Sequence, residues 1–569
     1  MAMQSLFLFK QEWFKHTEWW FETRLETDAY LAKTYGHLLD ENLLEYSWEW
    51  SVDTVVAWIL LYDQLPRHLA RATSKNVIYT YLSKAIGLVK LVIEDGLGML
   101  FDLGDFTGEE FGFLMLPLRH SYDCKMTYLA MEHTWKKLMA DKMAGQHKYV
   151  EALKPFLIAT YKRCPMLPLD TVDQYTYRDY FQYFPAAETA VTTPSPAFDW
   201  DKHSAVIAYT PEMMFDGEHR ASNDDEWVSG WKIPIADRTL LVSLSGGVDS
   251  MVLLWILVKR YPNVPVMAVY INYCNRPDDE EAFVRDWCRH LSVRLCVRRI
   301  REIQRVPAMT FELRETYETY TKNCRMHAYH QANGFAVAAD GGGGGEGGAA
   351  VVAMGHNQDD CFENILTNIC QKQKYENLRG MTTLMEMDAS GVTFWRPMLH
   401  VPKQRIYQYA QKHGIPYLHD STPVWSCRGK IRDVVRPTLE HYHSAMIPAF
   451  FHLSETMTEL TQHLEHFAKT LHSKIQDNRL SIQLSEYPSS LWTSVRFWQY
   501  FFQTYKSICP SHKSLGHLCE RMRALIDTES APPSGAASHI HIKVLLKKNV
   551  TLAVSKTSLE LTFAFAVAE

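Results

Sequence analysis

The chain has 569 residues, 47% of them hydrophobic, and a formal net charge of −6. At about 100–200 residues per domain this predicts three or four domains with substantial cores, which excludes a disordered or purely fibrous chain. The charge excludes a surface that is basic throughout, and the nearest candidate for a membrane span, Val55–Tyr62, stops at Asp63, far short of the ~20 apolar residues that cross a bilayer.

The 11 cysteines run from Cys124 to Cys519 without a CxxC pair, which predicts reduced, mostly buried thiols and speaks against a zinc ribbon or a cysteine-held iron–sulfur cluster. Met1–Lys10 lacks the basic lead and cleavage site of a secretion signal, so the expectation is a cytoplasmic protein with no membrane partner.

Taken in chain order, residues 1–185 show aromatic and aliphatic positions every three or four residues and read as a helical domain. Residues 186–235 hold Thr192-Thr193-Pro194-Ser195-Pro196 and nine acids against three basic side chains, the pattern of an acidic linker. From 236 to 443 apolar runs at Leu240–Leu244, Val264–Ile271, Val293–Val297 and Ala350–Met354 alternate with helical stretches such as Asp278–Leu291 and Phe311–Ala332. That alternation predicts an α/β domain built on a doubly wound parallel sheet. The patch Gly341–Gly348 reads as a flexible insertion. Residues 444–569 show helices at Leu453–Ile475, Leu491–Tyr505 and Leu515–Leu525, then strand-like alternation, and are expected to form a small α+β domain.

Two strand exits carry chemistry. Ser245-Gly246-Gly247-Val248-Asp249-Ser250 stands between an apolar strand and an apolar helix, so backbone N–H groups and the helix N-terminus form an anion cradle suited to phosphates. Asp249 within it predicts a divalent cation, magnesium, between carboxylate and phosphates. No Lys follows the second glycine, which argues against γ-phosphoryl transfer. The second exit is Gly355-His356-Asn357-Gln358-Asp359-Asp360-Cys361-Phe362-Glu363. Asp360 and Glu363 are three apart on one helix face, and His356 sits at the strand end. Strand C-termini of an open parallel sheet line one crevice, so both turns are expected in one pocket. Residues 371–440 carry 11 basic against 6 acidic side chains, the place for a polyanion.

The string at 245–250 resembles the PP-loop of ATP pyrophosphatases, and HxxDDxxE downstream of SGGxDS resembles the tRNA(Ile)-lysidine synthetase family. The likeness extends to Ile271–Arg276, to Lys322 and Arg325, to Asn377–Met381, to Trp395–Leu399 with Arg405, and to Asp420-Ser421 followed by Arg428–Arg432 and Pro437. It covers residues 236–440 and more weakly the C-terminal part, which would contact tRNA. The resemblance implies ATP-dependent adenylylation of a wobble cytidine in tRNA, then attack of the ε-amine of free lysine at carbon 2 with loss of AMP. In that scheme Ser245, Gly246, Gly247, Val248, Asp249 and Ser250 bind ATP, with Asp249 also on magnesium. Asp360 and Glu363 hold lysine, and His356 positions substrate or takes a proton. Asp249, His356, Asp360, Arg325 and Arg428 form the catalytic set, and Lys322, Arg379, Arg396, Arg405, Arg428, Lys430 and Arg432 bind tRNA. Lys322 in place of Arg and Gly429 in place of Asn depart from the family pattern.

Leu61-Tyr62-Asp63-Gln64-Leu65-Pro66-Arg67 and Pro117-Leu118-Arg119-His120-Ser121, with Trp13-Phe14 or Trp19-Trp20, resemble an uncharacterised bacterial family with a tetratricopeptide-like helical fold. Asp63, Arg67, Arg119 and His120 are read as an internal polar network or as a polar site, and a protein or ligand partner for this half, like a homodimeric assembly, is left open by the sequence. The alternatives are a tRNA thiolase using the same activation, an amidating synthetase, and a non-catalytic PP-loop scaffold.

Overall fold

The computed structural model describes residues 2–20, 24–40, 50–73, 77–93, 101–164, 179–186, 198–203, 205–207, 227–235, 238–275, 278–305, 310–339, 350–370, 380–387, 391–418, 426–476, 479–483, 486–504, 511–527, 542–547, 550–554 and 558–563. These fall into two compact units, 1–359 with 382–425 and 360–381 with 426–569. The glycine-rich patch, most of the acidic segment, Arg379 and Asp420 lie outside the described residues.

In the first unit the N-terminal part is helical, as its periodicity predicts: α1 (Ala2–Lys15), α2 (Leu25–Tyr35), α3 (Val52–Ile59), α4 (Leu65–Thr73), α5 (Ile78–Ile93), α6 (Gly108–His120), α7 (Cys124–Met143) and α8 (His147–Arg163). Local chemistry sets the starts. Ser51 caps α3, Thr107 and Glu110 make a reciprocal capping box on α6, and Asp123 caps α7. A π-helical turn, Leu60–Gln64, joins α3 to α4. The helices enclose an aromatic core in which Trp13, Phe9, Phe113 and Phe111 are all buried.

The sheet that follows is mixed and seven-stranded. Its strands are β1 (Phe181–Phe184), β2 (Leu240–Leu244), β3 (Val266–Asn272), β4 (Arg294–Arg299), β5 (Ala350–Met354), β6 (Leu384–Met387) and β7 (Val392–Trp395), in the order β1-β4-β3-β2-β5-β7-β6. The central strands β4, β3, β2, β5 and β7 are parallel, while β1 and β6 close the two edges antiparallel. After the short α9 (Trp200–His203), the crossovers are α10 (Val248–Arg260), α11 (Asp278–His290) and α12 (Phe311–Ala339), with α13 (Gln358–Cys370) after β5 and α14 (Lys403–His413) after β7. The expected parallel sheet is therefore present. The helical reading of residues 1–185 missed β1, four residues that pair with the exposed side of β4.

Alternate side chains of each strand serve different cores. Leu240, Val242 and Leu244 pack with α10, α11 and α14, whereas Leu241, Met267, Val269 and Cys296 join a single hydrophobic core that runs through α12 into the helical N-terminal part. A buried polar node pins this junction. Arg298 of β4 bonds Glu302, Tyr320 of α12 donates to Glu302 at 2.8 Å, and Tyr161 of α8 donates to the Glu302 carbonyl. The Arg298 guanidinium also lies 5.3 Å from the ring centroid of Tyr128 of α7.

The second unit begins within α13 at Asp360 and continues with α15 (Cys427–Lys430), a π-helical turn at Ile431–Val435, α16 (Arg436–Tyr442) and the long α17 (Met446–His472). After it come β8 (Arg479–Gln483), α18 (Ser489–Trp492), α19 (Val495–Thr504), α20 (His512–Asp527), β9 (Ile542–Lys547), β10 (Val550–Val554) and β11 (Ser558–Phe563). The four strands form an antiparallel sheet in the order β8-β11-β10-β9. Among the described residues no helix is long and apolar enough to cross a membrane.

Glu302 is 0% exposed, so removing its cation leaves a buried carboxylate uncompensated. Arg298→Leu should therefore destabilise the fold by about 3–5 kcal/mol, measured as a lower urea midpoint. Replacing both members together, Arg298→Leu with Glu302→Leu, should recover a large part of that loss.

Candidate active site

β2 ends at Leu244 and the chain turns through Ser245–Gly247 before α10 starts at Val248. Gly246 has φ +78°, and a Cβ there would fall 2.3 Å from Leu418 Cδ1, so both backbone conformation and space require glycine. Ser250 closes the turn: its Oγ accepts from the Ser245 N–H at 3.0 Å and donates to the Gly247 carbonyl at 3.0 Å. No side chain caps α10, whose N-cap is Gly247, so the helix N-terminus is presented to an anion.

β5 is the parallel neighbour of β2, and Gly355 leaves it directly against the cradle. A Cβ on Gly355 would lie 2.8 Å from the Asp249 carbonyl carbon, 2.9 Å from Ser250 N and 3.0 Å from Asp249 O. The two turns picked out in the sequence therefore touch through their backbones. Two further side chains cross between them. Asn357, 1% exposed, donates from Nδ2 to Asp249 Oδ1 at 2.8 Å, and it is itself held by the Asp359 N–H, which donates to its Oδ1 at 2.9 Å. Lys403, at the start of α14, places its ammonium on Asp249 Oδ2.

His356 has a fixed orientation. Arg396 donates from Nε to His356 Nδ1 at 3.0 Å and from Nη1 to the Thr382 carbonyl at 2.9 Å. A guanidinium only donates, so Nδ1 of His356 is the acceptor and the neutral ring carries its proton on Nε2. A neutral His356 with its proton on Nε2 suits positioning by donation better than proton abstraction. Arg396 is only 6% exposed. Expected from the sequence to bind tRNA, Arg396 is here buried and orients His356.

Arg325 is half-buried on α12 with a buried Nε that has no hydrogen-bond partner among the described residues, and Lys322 is exposed one turn earlier. Arg405 is exposed on α14. At the carboxyl ends of β3 and β4, the neighbours of β2, lies a cavity of about 610 Å³ lined by Asn272, Cys274, Arg299 and Gln304 from the sheet side and by Trp135 and Lys136 of α7.

In the second unit Glu363 is 4% exposed on α13, and Arg432 of the π-helical turn contacts its Oε1 from Nε at 3.0 Å and from a terminal nitrogen at 2.9 Å. Oε2 of Glu363 is buried with no hydrogen-bond partner among the described residues. Burial raises the Glu363 carboxyl above its ordinary value and Asp360 adds to this, while Arg432 and Arg428 oppose it. Asp360 is half-buried, and Arg428 and Lys430 are exposed.

Among the described residues no three His, Cys, Asp or Glu side chains converge to hold a metal. Magnesium that arrives on nucleotide phosphates needs only one or two protein carboxylates. Asp249 fits that role, with Asp359 beside it through Asn357 and through the Lys403 N–H, which approaches Asp359 Oδ1 at 3.5 Å. Neither Asn357 nor Lys403 was singled out for the cradle from sequence, since nothing local shows that Lys403 reaches a residue 154 positions away.

Residues 227–439 match the model of the PP-loop domain, and residues 7–167 match a family described as bacterial protein of unknown function (DUF924). The tRNA(Ile)-lysidine synthase of Nitrosomonas europaea is 25% identical over 252 residues, 43% of this chain and 50% of that protein. That of Neisseria gonorrhoeae is 29% identical over 220 residues, 37% of this chain and 42% of that protein. The chain spans about half the length of these curated relatives. Among solved structures the U34-tRNA thiolase NcsA from Methanococcus maripaludis aligns with 16% identity and a TM-score of 0.31 over 42% of this chain and 78% of that one, too slight a likeness to bear on function.

Two substitutions test the cradle. Gly355→Ala forces the β5 exit off the Asp249–Ser250 backbone and should cost about 1–3 kcal/mol of stability together with ATP binding, read by denaturation and by equilibrium dialysis. Lys403→Met keeps the backbone but removes the cation; ATP affinity should fall about tenfold, equivalent to ~1.4 kcal/mol, with the melting temperature little changed.

Proposed function

We propose that this chain is an ATP-dependent tRNA-modifying ligase of the lysidine-forming type. The observation that carries the reading is the backbone contact between Gly355 and Asp249–Ser250, because it joins an anion cradle and the His356–Asp359 turn in one place. The PP-loop match at 227–439 and the lysidine synthase relatives support it.

In this reading Ser245, Gly246, Gly247, Val248 and Ser250 hold the polyphosphate tail of ATP, and Lys403 shifts from Asp249 toward phosphate oxygens as the nucleotide enters. Magnesium supplies charge neutralisation on the phosphates, with Asp249 as its protein carboxylate. The cavity beside Asn272 and Trp135 takes the nucleoside end, consistent with ligands lying outside the carboxyl ends of the strands. The oxygen at carbon 2 of a cytidine in tRNA attacks the α-phosphorus, pyrophosphate leaves, and the lysine ε-amine then displaces AMP from carbon 2 and loses a proton. His356 donates a hydrogen bond that orients the base, and Arg325 offsets charge near the phosphates.

Asp360 and Glu363 are the acceptors for the lysine α-ammonium. Oε2 of Glu363, buried and unpartnered while Arg432 occupies Oε1, is the acceptor that such a cation completes. Arg405, Arg428 and Lys430 are exposed cations suited to the tRNA backbone. A cytoplasmic location accords with a tRNA substrate.

The test is incubation of the full chain with ATP, magnesium, lysine and cytidine-bearing tRNA, followed by mass spectrometry of the digested tRNA. The expected product carries one added lysine on a single cytidine, and pyrophosphate release depends on tRNA. Sulfur incorporation in place of lysine would establish the thiolase alternative. No pyrophosphate release under any condition would leave the PP-loop domain as a scaffold.

A further inference from the structure

A second set of charged side chains lies in the helical N-terminal part, which as a whole is acidic, with 24 Asp and Glu against 19 Lys and Arg over residues 1–185. Its centre is Asp63, whose side chain is 0% exposed in the π-helical turn between α3 and α4. Such turns widen the helix by one residue and recur at functional sites. Here the turn sets Asp63 against the end of α6, where His120 Nδ1 lies 2.9 and 3.0 Å from its two carboxylate oxygens. Arg67 donates to Asp63 at 3.0 Å, and Gln64 also bonds it. With an ionised, buried carboxylate on Nδ1, the His120 proton sits on that nitrogen and Nε2 is left as an acceptor, 3.4 Å from Arg119 Nη2.

The cations here exceed the acids. Arg67 bonds the one carboxylate, Arg119 faces it, and Arg163 lies beside Arg119; among the described residues neither Arg119 nor Arg163 has an acidic partner within 4.0 Å. Nε of Arg67 is buried with no hydrogen-bond partner among the described residues. Burial first, and then Arg163, lowers Arg119 to about 10, while burial pushes His120 below its ordinary value. Arginines at the ends of α6 and α8 also suit the helix dipoles, but a contribution of about 0.3–1 kcal/mol explains exposed cations and not a half-buried guanidinium crowded by two others.

The geometry points to a binding site for a small phosphate-type oxyanion, gripped by Arg119, Arg163 and the spare face of Arg67, with Asp63 holding Arg67 and His120 in place. An oxyanion with two or three acceptor oxygens satisfies planar guanidinium donors that the protein leaves without acids. The site is separate from the PP-loop cradle and does not depend on the chemistry proposed there.

Arginine labelling with phenylglyoxal, resolved by peptide mass spectrometry, reads this site apart from the cradle. Labelling is run at constant ionic strength with inorganic phosphate, with a phosphate monoester such as phosphoserine, or with chloride. Phosphate at millimolar concentration is expected to slow labelling of Arg119 at least fivefold, and stronger protection by the monoester would identify an esterified ligand. Arg163→Gln, an exposed position whose change leaves the fold intact, should raise the half-protecting concentration at least fivefold. Equal labelling of Arg119 in phosphate, monoester and chloride overturns the site, and so does protection that is unaltered in Arg163→Gln.

Discussion

The arrangement depends on one close approach: the backbone at Gly355 packed onto the backbone of Asp249 and Ser250. Two parallel strands side by side bring their exits together in register, yet only a residue without a Cβ lets the second exit press against the first turn of α10. Once it does, Asn357 is close enough to fix one oxygen of Asp249, and α14 delivers Lys403 to the other. The acid in the cradle is thereby held in a set orientation and neutralised before any ligand arrives. A site preorganised in this way spends less binding energy on ordering its own groups.

Much of this was legible in the sequence because it is local. The strands at Leu240–Leu244 and Ala350–Met354, the glycine turn between strand and helix, and the acids opening α13 are all encoded within a few residues of one another. What stayed hidden depends on distant partners. Phe181–Phe184 becomes a strand because β4 offers it an edge, and its four residues, though strand-favouring, are too few to stand out at the end of a segment read as helical. β8 is also short, and the strand-like alternation at the end of the chain resolves into β9, β10 and β11, paired antiparallel. The roles of Asn357 and Arg396 follow from what they touch: burial turned Arg396 from an expected surface cation into a clamp on His356.

The two charged centres of the first unit use their ions differently. In the cradle each oxygen of Asp249 is matched by a donor, which leaves the positive helix N-terminus as the group in want of a partner. Around Asp63 the carboxylate takes donors from Gln64, Arg67 and His120, and the surplus positive charge sits on the guanidiniums. The Glu363–Arg432 pair of the second unit falls between these cases, with one carboxylate oxygen doubly contacted and the other buried alone. Buried groups left partly unmatched are costly to a fold, and in each case the imbalance names the charge of what would complete it.

The hydrophobic core that runs from Trp13 and Phe113 through α12 to Leu241, Met267 and Val269 makes the helical N-terminal part and the sheet a single cooperative body. A chain severed between them would not yield two usable pieces; each fragment would carry half of an oily seam into water and seek another molecule to cover it. For the same reason the helical part is not a passenger appended to the sheet. Inherited changes deep in its aromatic interior reach the strands that carry the anion cradle, so lesions far from that turn would surface there.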